Sequence, residues 1–370
     1  MEKTKNNLRL IVMDNFKEFG EKVNNHLKKM AGITDEEFSF IVPIKLSRFA
    51  SGEAKAEILD SIRAKDVFLL IDVMNYSCTY QMRGFTNHKS PDDHFQDLKR
   101  VISAMDGGAS SLHVIMPFLY ESRQHKRKGR ESRDSSIALH ELENMDLNSI
   151  ITFDAHDPNI SNALQHCSFD NIYPTYSILK DFIEKETIDF DSLLVVSPDT
   201  GAVDRAIYYA DMLGTDVGIY HKRRDYSKIV DGKNPIVAHE YMGADVNNKN
   251  VIIVDDMIAS GQSMLDVAEQ LKKRGAKNIY LIASFALFSD GEKSIKAFNE
   301  AHKNKIFTKC YSSNLCYVPE EVMNKEWFYL ADCSKYLSKL IYTLSNHESI
   351  SPLLNSKEKL VTKIKEVREK

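Results

Sequence analysis

A chain of 370 residues with 43% apolar content is long enough for two domains and apolar enough to build a core in each. Its net charge of −4 gives no global attraction to nucleic acid or to an anionic membrane, and no apolar run approaches the roughly 20 residues a membrane helix needs. Five scattered cysteines, an odd number, exclude a disulfide framework and read as reduced thiols; with no leader-like apolar core behind Met1, the expectation is a cytoplasmic protein without a membrane or nucleic-acid partner.

In chain order, short β-branched runs alternate with helical patterns. Strands are expected at Val67–Ile71, Leu112–Met116, Ile150–Phe153, Leu193–Val196, Val217–Tyr220, 251–254 and Ile279–Ile282. Helices are expected at His94–Met105, Ala202–Leu213 and Met264–Lys273. Such alternation implies parallel, doubly wound sheets. It recurs on both sides of about residue 175, so the predicted fold is α/β with two similar domains, each a mostly parallel sheet flanked by helices. Two basic stretches follow predicted strands and read as loops: Tyr120–Arg133, which holds six Arg or Lys residues, and His221–Pro235. Charge runs are most often solvated faces, but ligands of open α/β sheets lie at strand carboxyl ends. The charged tail from Ser356 to Lys370 reads as a solvated helix.

The strongest local signal is Val251–Ser263, VIIVDDMIASGQS. An apolar strand runs into the acids Asp255 and Asp256, then a loop of small and hydroxyl residues, then a helix closed by Gly275. Ser260, Gly261, Gln262 and Ser263 can turn N–H groups and hydroxyls toward one anion at the positive end of the helix dipole. The two acids can reach sugar hydroxyls or a magnesium ion. A loop of this kind often does no more than cap a helix. Two carboxylates at the end of a buried parallel strand have no such structural use, and together with the loop they suit a sugar phosphate.

Two further strands end in polar groups. ITFDAHDP ends in Asp154, His156 and Asp157; LLVVSPDTGAVD leads through Asp199 to a helix near Gly201. Alone, His156 reads as a structural histidine and Asp199 equally well as an N-cap. With Asp255 and Asp256 they make a candidate magnesium and sugar site.

Taken together, these segments resemble the ribose-phosphate pyrophosphokinase family, which has the type I phosphoribosyltransferase fold. Val251–Ser263 resembles its phosphoribosyl pyrophosphate loop. Arg48-Phe49-Ala50-Ser51-Gly52-Glu53 resembles the RFxDGE nucleotide segment, Arg123-Gln124 the Arg-Gln pair that holds ATP, and Asp154-Ala155-His156 the DLH segment. Ser197–Gly201 resembles SPDxG, Lys222-Arg223-Arg224 the KRR opening of the catalytic loop, and Asn346–Ser351 the NEESIS segment. The resemblance implies transfer of a diphosphoryl group from Mg-ATP to ribose 5-phosphate. It implies ATP contacts from Phe49, Ser51, Glu53, Arg123 and Gln124, and ribose 5-phosphate contacts from Asp255, Asp256, Ala259, Ser260, Gly261, Gln262 and Ser263. Mg2+ is implied at His156 and Asp199, and catalysis by Lys222, Arg224 and His156. It also implies a homo-oligomer, with dimers forming a hexamer.

The expected domains are 1–174 on the ATP side, with 335–370 packing back on it, and 175–334 carrying the ribose 5-phosphate loop. The chain departs from the family pattern at Ser51, which stands for an Asp, at Ala259 and Gln262 in IASGQS, and in a longer 78–92 segment. These departures leave two alternatives open: a catalytically weak regulatory paralogue, and a phosphoribosyltransferase.

Overall fold

The computed structural model describes residues 7–127, 129–224 and 236–368, with the backbone alone over 222–224 and 236–239. The chain divides into two units: Met1–Pro174 with Asn314–Tyr317 and Asp332–Leu354, and Thr175–Ser313 with Val318–Ala331 and Asn355–Lys370.

Strands of the first unit are β1 (Leu8–Val12), β2 (Ile44–Arg48), β3 (Ala54–Ile58), β4 (Asp66–Leu70), β5 (Thr79–Met82), β6 (Phe85–His88), β7 (Ser111–Ile115), β8 (Ser149–Phe153) and β9 (Ser168–Ile172). Five of them form a parallel sheet in the order β1-β4-β7-β8-β9. On its other side Leu10 of β1 bridges Ile41, reached through the helix Lys17–Met30. The chain thus leaves β1 to both sides, and the carboxyl ends of β1 and β4 flank a point where strand order reverses. The β2–β3 hairpin is pinned to the helix Pro91–Met105 by Arg48, whose guanidinium lies 3.1 Å from Asp97. That helix starts three residues earlier than expected because Ser90 and Asp93 form a capping box with Pro91 at the first turn.

The second unit has β10 (Leu193–Ser197), β11 (Asp216–Arg224), β12 (Ile236–Met242), β13 (Asn250–Ile258), β14 (Asn278–Ala286), β15 (Lys309–Ser313) and β16 (Phe328–Ala331). They form one sheet in the order β12-β11-β10-β13-β14-β15-β16, antiparallel only at β12. Alternate residues feed two cores, as a strand covered on both faces requires. Leu194, Val196, Val251, Ile253 and Leu281 meet the helices Gln262–Lys273 and Glu292–Lys303 through Met264, Val267, Leu271 and Phe298. Leu193, Val195, Ile252, Val254 and Ile282 meet the helices Thr175–Lys185 and Val203–Leu213 through Leu179, Phe182, Ala206 and Tyr209. Each such buried Leu, Ile or Phe contributes about 1.5–3 kcal/mol by leaving water.

Three expectations are corrected. The strand carrying the acidic pair runs on to Ile258, because Asp255 and Met257 keep register with Ala283 and Phe285 of β14. The basic stretch expected as a loop from His221 is a strand as far as Arg224, paired antiparallel with β12; residues 225–235 lie outside the described residues. The segment 335–370 does not pack as one piece on the first unit: the helix Ser334–Ser345 does, whereas Asn355–Lys370 belongs to the second. There the helix Lys357–Arg368 is not simply solvated, since Leu360 and Ile364 are buried in the second unit's core and Lys357 and Arg368 bond Asp211 and Asp191.

Candidate functional site

In the second unit the strand order reverses between β10 and β13, and that is where an open α/β sheet leaves a crevice for ligand. Val196 and Ile253 are register partners, so the polar residues after β10 and within β13 converge there. Asp199 follows β10 and accepts hydrogen bonds from Gly201 N–H (2.8 Å) and Ala202 N–H (3.3 Å) on Oδ1, capping the turn that opens the helix Val203–Leu213. Its cap role is therefore real, and it occupies one of the two carboxylate oxygens.

Arg205, in the first turn of that helix, places Nη1 3.9 Å from Asp255 Oδ1; its side chain is 9% exposed and that of Asp255 is 23% exposed. Asp255 Oδ1 also accepts from Asp256 N–H at 2.9 Å, and Asp256 Oδ1 from Met257 N–H at 2.8 Å. Burial holds the Asp255 carboxyl well above the usual carboxylate range, and the adjacent Asp256 raises it further; Arg205 works in the opposite direction. The neighbouring acid favours the protonated form of Asp255 and the arginine its ionised form. Such a pair gains from vicinal hydroxyl donors.

The strand then turns through Ala259, Ser260 and Gly261 into the helix Gln262–Lys273. Ala259 is anchored by Ser289 N–H, which donates to its carbonyl at 2.9 Å. Gly261 has φ +72°, and a Cβ there would lie 2.2 Å from the Phe298 ring, so both backbone and packing demand glycine. The helix opens behind this turn, with Gln262 N–H donating to Ser260 Oγ at 3.4 Å; helix amino termini of this kind can receive an anion. Gln262 lays its amide along the helix to Asp266 (2.6 Å). Arg205 was not expected as a site residue; only its place one turn after Asp199 hinted at it.

In the first unit, the buried strand β8 ends at Phe153 and is followed by Asp154, whose φ of +43° is left-handed for a residue with a side chain. Asp154 N–H donates to Ile172 O at 2.7 Å and Ala155 N–H to Asn171 Oδ1 at 2.9 Å, which fixes the bend and leaves His156 exposed. Arg123 and Gln124 form a short turn after β7; Gln124 ties the basic loop closed through Ser132 O at 3.0 Å. The next residue, His125, was not expected. Its ring lies 5.3 Å from that of His156, and its Nε2 lies 3.4 Å from Asp157 Oδ2. Burial lowers the His125 pKa, partly offset by Asp157 and reinforced by His156. The chain order Arg-Gln-His was the signal available for it.

Phe49, Ser51 and Glu53 sit at the tip of the β2–β3 hairpin. Phe49 is 52% exposed, a ring free to take a flat ligand face. Ser51 Oγ donates to Glu53 Oε2 at 2.9 Å, so the serine that replaces an acid orients the remaining one. The longer 78–92 segment is a second hairpin, β5–β6, turned at Arg83 and Gly84. Arg83 N–H donates to Ala50 O at 3.0 Å, and Tyr80 lies under the Arg48 guanidinium at 4.2 Å, so this hairpin buttresses the first. The side chains of Lys222 and Arg224 lie outside the described residues; their backbone lies on β11, the neighbour of β10 at the reversal.

Among the described residues no three His, Cys, Asp or Glu side chains gather into a metal cage. Magnesium fits the donors nonetheless: it keeps several waters and is commonly held by one or two protein ligands plus substrate phosphates. No described helix is long and apolar enough to cross a membrane.

The two parallel sheets, and a strand–acid pair–glycine turn–helix at the reversal of the second, define a phosphoribosyltransferase-type α/β protein. Residues 8–145 match the N-terminal domain of ribose phosphate pyrophosphokinase, and residues 173–312 match the phosphoribosyl transferase domain. The chain is 28% identical over 327 residues to the ribose-phosphate pyrophosphokinase of Vibrio parahaemolyticus, covering 87% of this chain and 94% of that one. It is 29% identical over 249 residues to that of Ralstonia nicotianae, covering 66% and 71%. The crystal structure of phosphoribosylpyrophosphate synthetase from Mycobacterium smegmatis has the same fold, with a TM-score of 0.73 at 20% identity over 92% of this chain and 99% of that one. The chain belongs to the ribose-phosphate pyrophosphokinase family.

Proposed function

We propose that this chain is an active ribose-phosphate diphosphokinase. The C1 hydroxyl oxygen of ribose 5-phosphate attacks the β-phosphorus of ATP and the bond from that phosphorus to the α–β bridging oxygen breaks. AMP leaves with the bridging oxygen, the hydroxyl proton passes to solvent, and phosphoribosyl pyrophosphate remains. The observation that carries this reading is the acid pair set against Arg205 beside a glycine turn at the strand-order reversal.

In this reading the Ser260–Ser263 turn, entered from Ala259, holds the 5-phosphate, and Asp255 and Asp256 accept hydrogen bonds from the ribose hydroxyls. Phe49 stacks on adenine, while Ser51 and Glu53, Arg123 and Gln124 fix the nucleotide. Lys222 and Arg224 close over the phosphates and stabilise charge in the transition state, and closure excludes water. His156 and Asp199 hold magnesium, which neutralises phosphate charge when bound. His156, exposed at the end of its bent strand, also meets the reacting phosphates. We place the protein in the cytoplasm as a homo-oligomer of dimers, up to a hexamer.

The test is direct: incubate the pure protein with ribose 5-phosphate, ATP and magnesium, and measure AMP and phosphoribosyl pyrophosphate in equal amounts. Absence of both at any magnesium or phosphate concentration sinks the reading. It would leave the regulatory paralogue, the reading that Ser51 in place of an acid favours. Light scattering at assay concentration checks the assembly; a monomer contradicts it.

A further inference from the structure

At the amino-terminal edge of the second unit's sheet, the end away from the acid pair, a cavity of ≈ 770 Å³ opens where β14, β15 and β16 begin. Five lysines line it: Lys272, Lys277, Lys303, Lys305 and Lys325. A single carboxylate answers them, Glu326, which is 84% exposed and lies 3.6 Å from His302 Nδ1. Lysines near helix carboxyl ends have an ordinary structural use, since they meet the negative end of the dipole. Lys272 does this, donating to Lys277 O at 2.8 Å, and Lys303 closes the helix Glu292–Lys303. Lys305 and Lys325 lie two residues past the helices Glu292–Lys303 and Glu320–Met323, and Lys277 lies in the connection into β14. Among the described residues none of these three, nor Lys303, has a carboxylate at ion-pair distance. Lys305 also adopts φ +57° just past the helix end, a position where glycine or asparagine is the usual occupant.

The floor is rigid and apolar. Phe307 and Trp327 are each 2% exposed, and the indole N–H is already satisfied by Asn299 Oδ1 at 2.9 Å. A concavity lined by one sign of charge focuses its field and concentrates counter-ions. Its volume falls within the range of small-ligand sites. Clustered ammonium groups serve as point-charge partners for phosphate.

We propose that this cavity binds an oligophosphate, free or carried on a nucleoside, on Lys277, Lys303, Lys305 and Lys325 above the Phe307–Trp327 floor. The site is separate from the glycine turn at Gly261, and its assignment does not depend on the diphosphokinase reading.

Trp327 is the only tryptophan in the chain, so its fluorescence reports on this cavity. The full chain is titrated without magnesium or ribose 5-phosphate, using tripolyphosphate, ATP and orthophosphate in separate arms. The expected result is a saturable change with tripolyphosphate and a response to orthophosphate at least tenfold weaker. The double variant Lys305→Glu/Lys325→Glu should weaken tripolyphosphate at least tenfold, Lys305→Met/Lys325→Met should weaken it without adding negative charge, and Lys305→Arg/Lys325→Arg should retain it. The Asp255→Asn/Asp256→Asn variant should respond like the parent. ATP binding tighter than tripolyphosphate assigns a nucleoside-borne ligand; equal binding assigns the free chain. The proposal is overturned by no saturable response, by a response that survives in both the Glu and Met variants, by equal binding of orthophosphate, or by loss of the response in the Asp255/Asp256 variant.

Discussion

At the carboxyl ends of β1 and β4 in the first unit, Asp72 is 1% exposed and takes hydrogen bonds from Met74 N–H (2.9 Å) and Tyr317 N–H (2.6 Å). Asn15 donates its side-chain amide to His94 Nδ1 at 2.8 Å and accepts from Asp72 N–H at 3.3 Å, so the crevice is occupied by the protein's own groups. At the carboxyl ends of β10 and β13 in the second unit, Asp255 meets Arg205 at 3.9 Å with Asp256 next to it in the chain, and a glycine turn follows. Both units thus place buried carboxylates where strand order reverses. Asp72 is met by backbone donors from two separate segments of its own unit, whereas Asp255 and Asp256 take backbone donors from their own strand and Asp255 also faces Arg205. The difference lies in the neighbours and not in the topology.

The hardest blow to this contrast would come from β11. Lys222→Ala should lower kcat about 100- to 1,000-fold with little change in the KM for ATP, because a closing cation acts mainly in the transition state. Steady-state kinetics check it; equal loss in both parameters removes the assigned role. Next, Gly261→Ala should cost about 3 kcal/mol of stability, from a clash with Phe298 and a left-handed backbone. Denaturant unfolding reads that cost, and an undisturbed midpoint would mean that the turn tolerates a side chain.

The first unit gives the converse test. Burial pushes the Asp72 carboxyl up to about 6, against the pull of its two N–H donors. A carboxyl whose folded pKa is raised stabilises the fold below its unfolded pKa and loses that contribution as pH rises through the folded value. The stability difference between the parent and Asp72→Asn should therefore shift by about 2 kcal/mol between pH 4 and pH 6.5, with the parent relatively stronger at the acid end. Turnover at constant pH should hardly move. Smallest of the four, Asp255→Asn should weaken ribose 5-phosphate by about 10- to 100-fold by calorimetry, with unfolding near that of the parent, since one charged hydrogen bond to a hydroxyl is lost. If Asp72→Asn abolished turnover while Asp255→Asn did not, the two crevices would have exchanged roles.

Much of this was legible in the chain. Runs such as Leu193–Val196 and Val251–Val254 are apolar on both faces, so they announce central parallel strands whatever surrounds them. β15, with Ser312 and Ser313, and β16, only four residues long, give no such signal; their place is set by pairing with β14 and with each other. Asp255 and Asp256 read as a strand terminator by propensity, yet register with β14 carries the strand four residues further, to Ile258. In the site, residue types at strand ends were readable, but distances were not. Arg205 reaches Asp255 across 50 positions, and His125 meets His156 across 31. Asp72 gave no hint at all, because its partner Tyr317 is distant in sequence.

The interleaving of the two units along the chain bears on the order of synthesis. Residues 175–313 emerge from the ribosome as a nearly whole sheet, but β16 at Phe328–Ala331 and then the helix Lys357–Arg368, which cover its remaining edge and flank, follow. The first unit likewise lacks the helix Ser334–Ser345 until after residue 345 is made. Neither unit therefore has its whole core until segments beyond residue 330 have been made. A stop codon near residue 320 would leave two unfinished units, not one finished and one absent.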